Sequence, residues 1–363
     1  MCLLCFKRNV NTFVSLFTNN NIMEIQKAFL HHIEQSLDEL FSVDIDSHYK
    51  DIEPIVKSIL DEIFEGKNKR ACAIPPDNKT LKELVKSINN SDIQKQKEAV
   101  QINAYRLLRK EKDAQEQYGA ITQIPKGSLF HILVKHNQKV YFIITKTDHD
   151  KFLDESELAT RRGIPLNKKT YKSFYCEVLD EQLVDAFIYD PSGRSARYWW
   201  EGYLDVVLCN SDAQNTEKVL NHLIEKIIYP IRAKSPDDYK TLRDSTITFF
   251  RSHEEFSLSE YLSHVWEHYV PILDNLPLDK YKEKVNKMSE NKKFDTSFTI
   301  IAASINRRVK RNIQLTPKMK LHIDDMTFQE EKDIVIPFAD DRGKWIKIKT
   351  DSGYEYFKRN DSN

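Results

Sequence analysis

The sequence predicts an α+β protein, an antiparallel β meander flanked by helical lobes and closed by a C-terminal helix plus β strands. Three observations carry this prediction. Apolar residues in the first part recur at helical spacing, most cleanly at Ile52, Ile55, Val56, Ile59, Leu60, Ile63 and Phe64. From Gly127 the pattern changes to β-rich runs, opening with LFHILVKHNQKVYFIITK (Leu129 to Lys146) around His136-Asn137-Gln138, a hairpin signal. No β–helix–β alternation of the parallel kind follows.

Taken in order, residues 1–22 read as an extension or as a start codon placed too early. Lys7 and Arg8 interrupt the apolar stretch, so it fails as a signal peptide, and Met23 opens the more regular MEIQKAFLHHIEQ. Residues 23–120 read as a mainly helical lobe. Ile25–Ile33 suits a strand or a short helix, Ser42–Lys50 is irregular, and the stripe from Ile52 ends at Gly66 as a C-cap. After Pro75-Pro76 come helices over Thr80–Asn89 and Ser91–Glu116, the latter with Ile93, Val100, Ala104, Leu107 and Leu108 inward. Residues 121–212 form the meander: the 129–146 hairpin, then strands over Tyr171–Val178, Ala186–Tyr189 and Tyr198–Leu208. Residues 213–293 are helical again, led by the stripe Val219, Leu220, Leu223, Ile224, Ile227 and Ile228. Residues 294–363 hold a helix opened by Asp295 as its cap, with Phe298, Ile301, Ala302, Ile305 and Val309 inward. Strands follow over Met319–Ile323, Ile334–Phe338, Lys344–Lys349 and Tyr354–Phe357.

Composition narrows the function. Lys plus Arg and Asp plus Glu are 55 each among 363 residues, so no global field draws the chain to DNA or to a membrane, and attraction must come from local patches. Five scattered cysteines suit a reducing cytoplasm better than a disulfide framework, and Cys2-x-x-Cys5 lacks the second pair of a zinc site. No apolar run reaches the roughly 18 residues that span a bilayer. Glycine is scarce, and no phosphate-cradling loop or nucleophile elbow is present, so no cofactor is expected.

Three cationic segments stand out. Thr296–Ile323 contains no Asp or Glu and carries Arg307, Arg308, Lys310, Arg311, Lys318 and Lys320. Arg161–Lys172 is also acid-free and holds Arg161, Arg162, Lys168 and Lys169. Arg194 and Arg197 adjoin Tyr198-Trp199-Trp200, whose rings offer stacking or cation–π faces. Such segments fit phosphate contact without base reading, or simply a solvated surface. His264-Val265-Trp266-Glu267-His268 matches HxxEH, with His264 and His268 spaced to share one zinc on a helix, or else is a solvated or core-edge histidine pair.

The opening IQKAFLHHIEQ, the hairpin LFHILVKHNQKVYFIITK, the run RYWWEGYLDVVLC and the closing FDTSFTIIAASINRRVKRNIQLTPKMKLHIDDM together resemble the bacterial nucleoid-associated protein family of NdpA type, from about Met23 onward. The resemblance implies a cytoplasmic, nucleoid-associated, non-enzymatic protein that binds duplex DNA with low sequence specificity. The neutral net charge departs from a general DNA-coating role. Two other classes stay open. One is an interaction, sensor or scaffold protein with a protein partner or as a homo-oligomer, a role that the resemblance permits within anti-phage defence. The other is a zinc-dependent hydrolase using His264, Glu267 and His268.

Overall fold

The computed structural model describes residues 15–18, 21–34, 36–118, 124–154, 156–165, 171–190, 196–309, 311–323 and 333–358, and the architecture is α+β. The chain forms two compact units. Unit 1 comprises Met1–Asn215, Glu255–Ser259 and Met288–Thr299; unit 2 comprises Thr216–Glu254, Glu260–Lys287 and Ile300–Asn363.

Unit 1 is organised on an antiparallel sheet. Its strands are β1 (Ser15–Thr18), β2 (Asn21–Glu34), β3 (Glu39–Val43), β4 (Lys69–Ala73), β5 (Gly127–His136) and β6 (Lys139–Asp148), with a side hairpin of β7 (Asp150–Leu153) and β8 (Thr160–Gly163). The sheet continues with β9 (Tyr171–Leu179), β10 (Gln182–Tyr189) and β11 (Val207–Leu208), in the order β1-β2-β5-β6-β9-β10-β4-β11, and β3 also pairs with β2. Two turns fix the meander's register. Asn137 and Gln138 between β5 and β6 have φ of 49° and 66°, and Asp180 and Glu181 between β9 and β10 have 47° and 63°. Two successive positive φ values are the backbone of the two-residue turn that matches strand twist.

Helices cover both sheet faces. On one, α1 (Tyr49–Glu65) buries Ile52, Val56, Ile59, Leu60 and Ile63 with Phe130, Ile132 and Val134 of β5. On the other, α2 (Lys79–Ile88) and α3 (Ile93–Tyr118) bury Leu84, Val85, Val100, Ala104, Leu107 and Leu108 with Leu129 and Leu133. The alternation along β5 sends these two sets to opposite faces. Gly66 ends α1, but with extended backbone; a Cβ there would strike Glu62 O and the Tyr189 ring.

The sequence-based expectation fails at four places in unit 1. The lobe expected to be helical shares its sheet with the meander, because Ile25–Ile33 is strand and KRACA (Lys69–Ala73) pairs with β10. Residues Tyr198–Tyr203 form a wide helical turn, not a strand: Trp199 and Tyr203, four apart, bury together, and Arg106 Nε donates to Tyr203 O at 2.8 Å. Asp295 caps no helix. It is buried and accepts from Ala71 N at 2.9 Å and Asn215 Nδ2 at 2.8 Å, while Phe298 lies on a short strand. That strand and its partner are β13 (Ser297–Thr299) and β12 (Glu255–Ser257). Ile93, expected inward, is exposed.

In unit 2 the stripe from Val219 to Ile228 is buried as its spacing predicts. It runs from α4 (Asp212–Asn221) into a π-type segment, His222–Ile228. α5 (Pro236–Ser252) is capped by Ser235, whose Oγ accepts from Asp238 N at 3.2 Å. α6 (Leu258–Tyr261) leads into a second π-type segment, Leu262–Glu267, where Trp266 Nε1 donates to Tyr261 Oη at 3.2 Å. α7 (Leu278–Asn286) and α8 (Ala302–Val309) follow. Two hairpins then form, β14 (Arg311–Thr316) with β15 (Met319–Ile323), and β16 (Val335–Asp340) with β17 (Gly343–Ile348). The last segment, expected as a strand, is helix α9 (Asp351–Phe357), because Thr350 Oγ1 caps it by accepting from Gly353 N at 3.1 Å. No helix among the described residues is long and apolar enough to cross a membrane.

Candidate functional site

The cationic candidates separate by what surrounds them. In unit 1, Arg161 opens toward acid that the local sequence places upstream of the acid-free block. Its Nε lies 3.3 Å from Asp154 Oδ2 and its Nη2 2.5 Å from Glu157 Oε2. Arg162 is exposed on β8 and acts on Glu34. Burial works against that carboxyl, but Ser36, Lys126 and Arg162 together hold it below its usual range. Arg197 pairs with Glu201 four residues on, at 2.9 Å. Trp199 is buried in the core and so offers no stacking platform. Lys168, Lys169, Arg194 and Lys310 lie outside the described residues.

In unit 2, Arg307 and Arg308 fall within α8 and Arg311 opens β14. Lys318 stands in the turn of the β14–β15 hairpin and Lys320 on β15, both exposed. Lys320 and His322 alternate with Leu321 and the buried Ile323, so the strand has an apolar side and a basic side. Among the described residues neither lysine has an ion-pair partner. The β16–β17 hairpin adds exposed Lys344, Lys347 and Lys349, with Lys347 Nζ 4.0 Å from the Phe338 ring centre. Its turn is held by Asp340, whose Oδ1 accepts from Arg342 N, Gly343 N and Trp345 Nε1, contacts that keep the carboxyl below its usual range.

Among the described residues the structure does not gather the HxxEH residues into one ligand set. His264 lies in the π-type segment Leu262–Glu267, and His268 is the capping residue just beyond it. His264 is drawn instead toward His253 and Glu260, with ligand atoms of the three all within 4.8 Å of one another. Glu267 and His268 are exposed and belong to no such group among the described residues.

Sequence reasoning missed a set of polar groups inside unit 1. His131 Nε2 donates to Asn103 Oδ1 at 2.8 Å, and the Tyr203 hydroxyl donates to the same oxygen. Ser128 Oγ stands 2.7 Å from His32 Nδ1 and 2.7 Å from His149 Nε2. Burial pushes His31 and His149 down to about 4 and His131 well below its usual range. These imidazoles are therefore neutral at pH 7. Lys146 is fully buried 2.6 Å from the equally buried Glu111 and 3.2 Å from Asp148. Burial opposes the ammonium, and the two carboxylates outweigh it, holding Lys146 charged. The only sequence signal for these groups was their place in the core alternation, His131 between Leu129 and Leu133 and Lys146 two residues beyond Ile144. A cleft of about 200 Å³ lined by Lys27, His31, Asp44 and Gln96 does not reach Ser128. Ser128 of β5 thus bridges His32 of β2 and His149, which follows β6.

No protein-family model matches the chain, and comparison with curated proteins finds no significant match.

Proposed function

We propose that the chain is a non-enzymatic, nucleoid-associated-like protein that contacts duplex DNA through its phosphates, using the C-terminal hairpins of unit 2. The observation that carries this reading is the exposed pair Lys318 and Lys320, which have no ion-pair partner among the described residues. They lie in the acid-free stretch that also holds Arg307, Arg308 and Arg311. A two-stranded ribbon is narrow enough for the major groove of B-form DNA, and lysines at its turn and on one side meet backbone phosphates without reading bases. The resemblance to nucleoid-associated proteins points the same way and gives the cytoplasmic nucleoid as the place of action. The test is binding of duplex DNA over a salt series by the parent and by Lys318→Glu/Lys320→Glu. The reading predicts affinity that falls steeply with salt and a slope smaller by about two in the double variant. Equal binding by parent and variant at every salt concentration contradicts it.

A second reading, an interaction protein, is favoured by one observation. Ile336, Phe338, Trp345, Ile346 and Ile348 expose both faces of the β16–β17 hairpin, and an isolated hairpin in water is marginal without a cover. Capture of a protein partner after nuclease treatment, lost in Phe338→Ser/Trp345→Ser, supports it. Unchanged capture by that variant counts against it.

A further inference from the structure

We propose that His253, Glu260 and His264 of unit 2 form a binding site for a divalent transition metal of the zinc class. His253 terminates α5, Glu260 lies in α6 and His264 in the π-type segment that follows. Each imidazole is already held in the orientation that ligation needs. His253 Nδ1 lies 2.9 Å from Phe249 O and His264 Nδ1 lies 3.0 Å from Glu260 O. A carbonyl only accepts, and Ser252 Oγ, 2.9 Å from His253 Nδ1, donates its own proton to Thr248 O, so in each ring Nδ1 carries the proton and Nε2 carries the lone pair. This is the arrangement in which a backbone oxygen fixes the tautomer of a metal-binding histidine.

Phe249 sets the rings against each other. The His253 ring stacks on it at 4.1 Å and 18°, the His264 ring meets it edge-on at 5.9 Å, and the two imidazoles are 5.2 Å apart at 75°. The carboxylate of Glu260 completes the set, with Oε1 4.0 Å from His253 Nε2. Zinc bonds of about 2.0–2.1 Å place tetrahedral ligand atoms roughly 3.4 Å apart, so closing the set needs a contraction of about 1.4 Å at most. The side chains of His253 and Glu260 are 26% and 43% exposed, which leaves them room to make it and leaves the metal's remaining position open to solvent. Two imidazoles and one carboxylate select zinc, or cobalt and nickel as its mimics, over calcium or magnesium, which take all-oxygen shells.

The test uses the full chain, stripped with a chelator and titrated with Zn(II) alone, with Co(II) as a spectroscopic substitute. The expected result is one equivalent bound, a higher thermal midpoint, and visible absorption typical of a low-coordinate Co(II) site. His253→Ala and Glu260→Gln should each weaken Zn(II) binding more than about tenfold, whereas His268→Ala and Glu267→Gln should leave it unchanged. Circular dichroism of the metal-free variants checks that they fold, and His264→Ala gives an independent ligand deletion. Stoichiometry below one in the folded parent overturns the site. Binding retained in both His253→Ala and His264→Ala, or lost in His268→Ala, overturns it equally.

Discussion

Arg161 and Arg197 in unit 1 and Lys318 and Lys320 in unit 2 look alike in sequence, each in or beside a stretch without carboxylates. In the folded chain they differ. Asp154 and Glu157 sit just upstream of the Arg161 block and fold back onto it, and Glu201 takes up Arg197 one helical turn later. The hairpin lysines have no such acid within their own element, and no ion-pair partner among the described residues. The same contrast deepens inside unit 1, where Lys146 is fully enclosed by Glu111 and Asp148.

The largest expected effect comes from the enclosed end of this scale. Lys146→Met leaves Glu111 buried without its counter-charge and should cost roughly 3–5 kcal/mol in urea unfolding. Adding Glu111→Leu should recover most of it, since an apolar pair can replace a buried ion pair. No loss on Lys146→Met would show that the buried pair is not what holds α3 on the sheet. The lysines of the hairpin should behave in the opposite way. Lys318→Glu/Lys320→Glu should leave unfolding within about 0.5 kcal/mol of the parent, while DNA affinity near 0.1 M salt falls more than about tenfold.

Acid should separate the two units. His31 and His149 have folded pKa values near 4 against about 6.5 in an unfolded chain. As pH falls below 6.5 the unfolded state takes up protons that the folded state refuses, so stability is lost between about pH 6.5 and 4. Above that window the contribution is fully present. Hydrogen exchange of β2 and β5 amides should therefore accelerate from pH 7 to pH 5 beyond the intrinsic chemical trend, while β14 and β15 show no such excess. The smallest effect belongs to the neutralised surface pair: Arg197→Gln should change stability by no more than about 0.5 kcal/mol.

Much of the fold was legible in the sequence. The stripes of α1 and of Val219–Ile228, the β5–β6 hairpin, the strand β15 and the β16–β17 hairpin carry their periods openly. What was not legible has identifiable causes. KRACA is too short and too charged to announce a strand, and its partners β10 and β11 make it one. Tyr198–Tyr203 has strand-like residues, and the burial of Trp199 with Tyr203 overrides that preference. Asp295 reads as a helix cap, yet its partners Ala71 and Asn215 are 224 and 80 residues away. For the candidate site, net charge and acid-free runs located the cations, but whether an acid folds onto them depends on turns that the runs do not contain. The His253–Glu260–His264 group was hidden because His253 follows α5 while Glu260 and His264 lie beyond β12, and only the fold brings the three together.

The most direct test of the account compares the salt dependence of duplex DNA binding in two variants, Lys318→Glu/Lys320→Glu and Arg161→Gln/Arg197→Gln. The account predicts that the hairpin variant loses about two from the slope of log affinity against log salt and that the unit 1 variant keeps the parental slope. Equal losses in the two variants, or a loss in the unit 1 variant alone, would contradict it.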